Sequence, residues 1–220
     1  MRVFDRCVTT VQDLKTPQFL LLNLPPKLIM QSASYRNSSD ETLMSGIAQG
    51  DTAAFDELYE RYSTRLLHYF YRMLGKDTEK AQDFLQDLLL KIVEKPHLFD
   101  TRQRFSTWVY TIANNMCKNE YRRLQVRQNG QAIAHDCQTS ENDYELPSIE
   151  RRIDDALLRR VLHESVEQLD EAKRSVFLLR YQENFSIKEI AAIVQCSEGT
   201  VKSRLFYTIK LLSKQLQHFQ

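Results

Sequence analysis

The chain has 220 residues and a formal net charge of +1, with 42% hydrophobic and 27% charged residues. This composition is that of ordinary globular proteins, and the length allows one large domain or two small ones. Only five glycines and five prolines are present, which excludes collagen-like and low-complexity chains and argues against all-β sandwiches and barrels, because those folds need many turn residues.

Residues 1–39 show no sustained helical period and end in a stretch rich in serine and asparagine. We interpret this segment as a disordered extension, with a partner-binding tail as the alternative. Its apolar run, residues 19–24, is followed by two prolines. The run is too short to span a bilayer and lacks a signal-peptide cleavage pattern, so we expect a cytoplasmic protein without membrane insertion.

Residues 40–124 predict a domain of four helices, because apolar residues recur at intervals of three and four along each of them. Asp40 and Asp51 are the candidate caps of the first two helices. The second helix ends at Gly75, and a third starts near Asp77.

Three segments of this domain carry the groups suited to binding. Pro96 ends the third helix, and the polar loop that follows it carries one aromatic residue, Phe99. The outward face of the third helix is charged and hydrogen-bonding, and consists of Asp83, Gln86, Asp87, Lys91 and Glu94. The fourth helix ends in a basic segment of net charge +3, made of Lys118, Arg122, Arg123 and Arg127 against Glu120.

Residues 125–149 lose the helical period and predict a mobile linker to a second helical domain, residues 150–220. In that domain Ser186 and Glu189 form an S-x-x-E capping box, which fixes the start of a helix. Ser197 caps the last helix. Two capped helices joined by about three residues predict a helix-turn-helix.

The last helix has an apolar side and an outward side that is small and polar at the start, then aromatic and basic. Residues 195–220 hold four basic residues against Glu198, a net charge of +3. Because the second helix of this motif enters the DNA major groove, the pattern predicts DNA binding. A plain amphipathic helix with a solvated charged face is the alternative.

Three stretches, in this order, resemble the extracytoplasmic-function (ECF) sigma factors of bacterial RNA polymerase. They read GDTAAFDELY at 50–59, DFLQD at 83–87 with FSTWVYTIANN at 105–115, and FSIKEIA at 185–191 with GTVKSR at 199–204. The resemblance covers about residues 40–217. It implies an all-α fold of two helical domains, sigma domain 2 and a C-terminal helix-turn-helix domain 4, joined by an irregular linker.

The resemblance also implies a function: binding core RNA polymerase and directing promoter-specific initiation. Domain 2 would dock on the β′ clamp and open the −10 element, and domain 4 would sit on the β flap and read the −35 element. An anti-sigma factor is a further partner common in the family. A loop aromatic and an amide can hold an unstacked base, and basic residues suit phosphates.

The resemblance implies which residues form each binding site. The residues that would bind core polymerase are Asp83, Gln86, Asp87 and Lys91. The residues that would contact −10 DNA are Phe99, Asn115, Lys118, Arg122 and Arg123. The residues that would contact −35 DNA are Ser197, Thr200, Lys202, Ser203, Arg204, Phe206, Tyr207 and Lys210. Tyr207 departs from the family, which often has an arginine there.

Three other classes of function remain as alternatives. A stand-alone helix-turn-helix regulator would need a dimerisation surface or a receiver-type α/β domain. An enzyme is disfavoured because the sequence has no Gly-rich phosphate loop, HExxH or GxSxG motif. A helical adaptor is the third. The four cysteines form no CxxC pair, so we expect a reducing compartment, no metal and no cofactor.

Overall fold

The computed structural model describes residues 35–129, 162 and 164–217. Within them the chain is helical and contains no strand, which confirms the all-α prediction. The helices are α1 (Asp40–Ala48), α2 (Thr52–Met73), α3 (Thr78–Glu94), α4 (Phe105–Asn129), α5 (Glu171–Tyr181), α6 (Ile187–Val194) and α7 (Glu198–Gln217), with a 3-10 turn at Pro96–Leu98. None of these helices has the length and apolarity needed to cross a bilayer.

The predicted starts of α2 and α3 are confirmed. The side chains of Asp51 and Asp77 cap them by accepting hydrogen bonds from the backbone N–H groups of Ala53 and Lys80. Gly75 follows α2 with φ of 72°, the left-handed conformation that ends helices. The sequence predicts these helix starts and this helix end because each depends on residues only a few positions apart.

The start of α1 differs by one residue from the prediction. Ser39, not Asp40, caps the helix, and its Oγ accepts a hydrogen bond from Thr42 N–H at 3.2 Å. The Asp40 carboxylate is engaged elsewhere: it accepts hydrogen bonds from Arg61 at 2.8 Å and from the Tyr62 hydroxyl. A contact 21 residues away therefore decides which of two good capping residues is used.

Helix α4 continues through Asn129, past the predicted start of the linker at residue 125. Residues 125–129 contain no helix breaker, and Gly130 is the first one after them. The rest of the predicted linker, the first part of the second predicted domain and most of the N-terminal extension lie outside the described residues. Residues 164–167 are helical.

Two groups of helices contribute to one apolar core. Helices α1–α4 supply the fully buried Leu58, Leu66, Phe70, Leu88, Phe105 and Val109. Helices α5–α7 supply Val176, Leu179, Ile190, Ile193 and Val201. Burying these side chains supplies most of the folding free energy, because each contributes about 1.5–3 kcal/mol.

The two groups of helices also touch each other. Helix α6 packs against α4, and α5 packs against α2 and α4. Tyr110 on α4 and Phe185, just before α6, have ring centroids 5.1 Å apart at 71°. The C-terminal helices are thus docked on the N-terminal ones.

Candidate nucleic-acid interface

The outward face of α3 is exposed as predicted. Asp83, Gln86, Asp87 and Lys91 are all exposed, while the opposite face of α3 is buried in the core. Sequence reasoning missed the apolar residue among them, because Leu90 is 52% exposed. Leu90 lies three residues after Asp87 and four residues before Glu94, so all three share one face of the helix. The face is therefore charged around an apolar centre.

The apolar period of the sequence predicts Val93 on the same face of α3 as Leu88 and Ile92. Val93 is 46% exposed, so this prediction is wrong. At 100° per residue, Val93 lies at the edge of the stripe formed by Leu85, Leu88 and Ile92. The core does not reach this edge of the helix.

The loop aromatic Phe99 does not lie free in the polar loop. Its side chain is only 7% exposed. It packs against Phe105 and Trp108, with ring centroids 5.7 Å and 5.1 Å away. The 3-10 turn at Pro96–Leu98 folds the chain back, so that the ring meets the start of α4. Its capture of an unstacked base stays a prediction, and it requires the ring to leave this cluster.

Two adjacent asparagines of α4 have different surroundings. Asn115 is half-buried. Asn114 is buried, and its Oδ1 accepts hydrogen bonds from Ser175 at 2.6 Å and Tyr69 at 3.2 Å. Asn114 is thus held between α2 and α5, whereas Asn115 has its side chain partly open to solvent. The sequence singled out Asn115 and gave no reason to notice Asn114.

The basic end of α4 keeps most of its charge on the surface. Arg122, Arg123 and Arg127 are exposed and Lys118 is half-buried. Glu120 is buried and pairs with Lys80 at 2.6 Å and with Arg123 at 3.6 Å. This carboxylate offsets part of the local positive charge and joins the end of α4 to the start of α3.

The helix-turn-helix is built from α6 and α7, as predicted. Ser186 Oγ donates to Glu189 at 2.6 Å, and Ser186 N–H donates to the same carboxylate at 2.9 Å. These bonds from Ser186 lower the pKa of Glu189 below its ordinary value. The turn between the helices passes through Gln195 at φ 58°, a left-handed conformation that the sequence did not signal.

The start of α7 is capped by Ser197, whose Oγ accepts a hydrogen bond from Thr200 N–H at 3.1 Å. The two hydroxyls also bond each other at 2.9 Å, and Thr200 is only 7% exposed. Thr200 therefore supports the turn, and its side chain faces inward in this structure. This differs from its expected place on the outward face, because the bond to Ser197 holds the hydroxyl.

The rest of the outward face of α7 is open. Ser197, Lys202, Tyr207 and Lys210 are exposed, and Ser203, Arg204 and Phe206 are half-buried. The rings of Phe206 and Tyr207 lie 5.5 Å apart. The inward residues Val201, Leu205, Thr208 and Leu212 are buried. The arrangement is a cationic and aromatic helix surface.

The fold and these surfaces define a two-domain helical DNA-binding protein. A model of Sigma-70 region 2 matches residues 58–127, and a model of Sigma-70, region 4 matches residues 159–212. The chain is 33% identical over 183 residues to the RNA polymerase sigma-H factor of Pseudomonas aeruginosa, covering 81% of this chain and 94% of that protein. It is 30% identical over 175 residues to the ECF RNA polymerase sigma factor SigL of Mycobacterium tuberculosis, covering 79% and 95%.

The fold is also that of a solved sigma factor. The structure of the sigma factor RpoE in complex with the anti-sigma factor NepR from Bartonella quintana matches with a TM-score of 0.55 and 21% identity, covering 74% of this chain and 96% of that one. The chain therefore belongs to the ECF sigma factors of the sigma-70 family, and its function is promoter-directed transcription initiation. The two region matches favour this function over that of a stand-alone regulator.

Proposed function

We propose that three surfaces of this sigma factor each bind a different partner or DNA element. The outward face of α3 binds core RNA polymerase, the loop and α4 hold −10 DNA, and α7 reads −35 DNA. The observation that supports this most strongly is the exposure of charged and aromatic groups on the outward faces of α3 and α7, while their other faces are buried. Exposed charges are already solvated in the free protein. When a partner carries complementary charges, they increase the selectivity and the rate of association.

The polymerase-binding surface consists of Asp83, Gln86, Asp87 and Lys91. We propose the β′ clamp as its partner. The exposed Leu90 at its centre can lose water on binding while the charges around it form pairs at the rim.

Charge reversal tests the polymerase-binding surface. Asp83→Arg with Asp87→Arg should weaken core polymerase affinity at least about tenfold, because each replaced carboxylate becomes a like charge for its partner. The matched control is Asp56→Arg with Glu60→Arg, an exposed pair at the same spacing on α2. Competition binding measures the affinity of both double variants for core polymerase. Circular dichroism should show wild-type helicity for each, and equal affinities of the two double variants would contradict the placement.

The −10 surface combines Phe99, Asn115, Lys118, Arg122 and Arg123. The basic residues contact duplex phosphates next to the opened bases, and the Asn115 amide hydrogen-bonds the edge of a base once it leaves the stack. Phe99 supplies a stacking ring when it swings out of its cluster. Asn115 is suited to its role because its side chain is partly open, unlike that of Asn114.

The −35 surface lies on α7 and its cap. Its residues are Ser197, Thr200, Lys202, Ser203, Arg204, Phe206, Tyr207 and Lys210. Lys202 and Lys210 are exposed and suit phosphates or base edges, and the Tyr207 ring, 46% exposed, can contact a thymine methyl group. Thr200 acts by holding Ser197 in place.

Further expectations follow from family membership. The protein works where RNA polymerase works, in the cytoplasm, and it is a binding factor without a catalytic site of its own. Among the described residues, no group of three or more His, Cys, Asp or Glu side chains could hold a metal ion. A cognate anti-sigma factor is a further proposed partner, supported by the fold shared with a sigma factor solved with one.

A further inference from the structure

The start of α4 is held by a side chain from a different helix. Glu41 on α1 accepts a hydrogen bond from the backbone N–H of Phe105, the first residue of α4, and the nitrogen lies 3.1 Å from Glu41 Oε1. The first N–H groups of a helix have no partner within the helix. The residue before α4 is Arg104, whose side chain has no acceptor, and no acidic residue lies in the first turn. A residue 64 positions away in the sequence therefore caps α4.

The charge of the Glu41 carboxylate suits this position. Burial alone would raise the pKa of Glu41, but hydrogen bonds from its own backbone N–H and from Phe105 N–H lower the pKa below its ordinary value. The nearby charge of Arg104 acts in the same direction. Glu41 is therefore ionised at neutral pH, and a negative charge next to the first turn of a helix stabilises the positive end of the helix dipole.

Helix α1 also holds the ring of Phe105. The Asp40 carboxylate, next to Glu41, accepts a hydrogen bond from the Tyr62 hydroxyl. The Tyr62 ring packs edge-on against the Phe105 ring with centroids 5.0 Å apart at 78°, and the Phe105 side chain is fully buried. Two adjacent carboxylates at the start of α1 thus hold Phe105, one through its backbone and the other through a neighbouring ring.

The loop before α4, residues 99–104, spans two points that both contact α1. At one end the 3-10 turn at Pro96–Leu98 packs against α1, and at the other end is Phe105. Between them the loop closes on itself, because the Asp100 carboxylate accepts hydrogen bonds from the Arg102 backbone N–H at 3.0 Å and from the Arg102 guanidinium at 2.9 Å. The loop is therefore a short closed turn whose two ends are fixed to α1.

Fixed ends matter because the two base-holding groups of the −10 surface lie on opposite sides of this junction. Phe99 is at the start of the loop, and its ring must leave its cluster to stack on a base. Asn115 lies on α4, about 15 Å along the helix from Phe105. Ordering a loop on binding costs free energy, and that cost is smaller when the loop ends are already held in place. The two groups therefore hold opened bases best when the start of α4 stays fixed.

We propose that Glu41 is a positioning residue for promoter opening, which ties the end of loop 99–104 to α1 while Phe99 leaves its cluster. The proposal rests on the −10 surface of the proposed function, and it adds a residue that touches no DNA. Loss of the bond from Phe105 N–H frees both the first turn of α4 and the end of the loop. Opened bases are then held less firmly, although every DNA-contacting group is still present.

The test compares two helix caps of domain 2 in the full chain bound to core polymerase. Glu41→Ala removes the cap of α4. The matched control is Asp77→Ala, which removes the cap of α3, where the Asp77 carboxylate accepts a hydrogen bond from Lys80 N–H at 3.0 Å. Both variants should lower the urea midpoint of unfolding, because each loses a cap. Only Glu41→Ala should slow promoter opening, by about twofold to thirtyfold, the range that corresponds to one lost cap. A fluorescent base in the −10 element measures opening.

Two more variants separate a positioning role from a merely structural one. Glu41→Gln keeps an acceptor oxygen for Phe105 N–H and should restore most of the opening rate. Arg104→Ser, added to Glu41→Ala, gives α4 a cap of its own, because Arg104 is at the N-cap position and its carbonyl accepts a hydrogen bond from Trp108 N–H at 3.2 Å. This double variant should recover stability relative to Glu41→Ala. Its opening should remain slower than that of Arg104→Ser alone, because the link to α1 is still broken.

Equal opening rates for Glu41→Ala and Asp77→Ala would overturn the proposal, and so would recovery of opening by the added Arg104→Ser change. Affinities for core polymerase and for a −35 duplex should stay at wild-type values in Glu41→Ala, because neither surface includes the start of α4. Failure of the proposed function gives a different result, since Asn115→Ala would then open promoters normally. Normal opening by Glu41→Ala beside slow opening by Asn115→Ala would refute the role of Glu41 alone.

Discussion

At the residue scale, Lys202 and Asn115 belong to different domains and should control different steps. Lys202 is exposed near the start of α7, where phosphates and base edges are reached, and Asn115 is half-buried on α4. Lys202→Ala should weaken binding to a −35 duplex and lower its salt slope by about one unit, the loss of one phosphate contact. If Lys202 contacts a base, specificity at one position should relax by about 1–3 kcal/mol.

Asn115→Ala should leave −35 duplex affinity unchanged and slow promoter opening, because the amide bonds a base only after it has left the stack. Permanganate footprinting of open complexes, beside the duplex titration, measures the two steps. Each variant serves as the control for the other. Normal opening by Asn115→Ala, or a Lys202→Ala titration like that of the wild type at every salt concentration, would contradict this division.

The sequence predicts the exposure of residues whose position depends on a local helical pattern. It does not predict the surroundings of residues whose contacts are distant in the sequence. Lys202 and Asp83 were placed on exposed helix faces from their spacing alone, and the structure agrees. Phe99 was predicted to be free because the residues that follow it, 100–104, are polar. Its ring centroid nevertheless lies 5.1 Å from that of Trp108. The roles of Asn114 and Glu183 depend on partners more than 60 residues distant, which no periodicity can reveal.

At the scale of elements, α6 is short and depends on its cap. It has eight residues, and isolated helices of this length are unstable in water. Ser186→Ala removes both the cap of Glu189 N–H and the hydroxyl bonded to its carboxylate, so it should destabilise the protein by about 0.5–2 kcal/mol. Urea unfolding measures this. Ser45→Ala is the control, because Ser45 Oγ bonds only to the Glu41 carbonyl within α1 and should change stability by less than about 0.5 kcal/mol.

The same cap predicts a pH dependence. The bonds from Ser186 lower the pKa of Glu189 below its ordinary value of 4.5. The stabilisation is therefore complete above that ordinary value and is lost as pH falls through the lower folded-state pKa. The stability difference between the wild type and Ser186→Ala should narrow as the pH falls from about 5 through that lower pKa. A difference that stays constant over this range would show that the carboxylate takes no part in the cap.

At the scale of the whole molecule, helix content and the order of the two domains follow from the sequence, but their docking does not. Capping residues such as Asp77 and Ser186 and the apolar period locate the helices because those signals are local. The contact between the two groups of helices includes a hydrogen bond from Arg65 on α2 to Glu183, which is 118 positions away in the sequence. A charged residue after a helix ordinarily faces solvent, so burial of Glu183 could not be expected.

Docking should also make the two domains unfold together. Glu183, just after α5, accepts hydrogen bonds from Arg65 on α2 and Tyr110 on α4. Arg174 on α5 donates to the Met73 carbonyl and the Tyr121 hydroxyl, so opening either domain removes partners from buried polar groups of the other. Calorimetry of the full wild-type chain should give one transition whose calorimetric and van't Hoff enthalpies agree, the mark of a single cooperative unit. Arg65→Ala should uncouple the domains, so that the calorimetric enthalpy exceeds the van't Hoff value and the transition broadens or divides. Arg104→Ala removes an ion pair with Glu189 in which the Arg104 side chain is 75% exposed. Exposed pairs contribute little, so this variant should keep the single transition. Two transitions in the wild type at low ionic strength, where the ion pairs of the interface are strongest, would show that the contact is too weak to couple the domains.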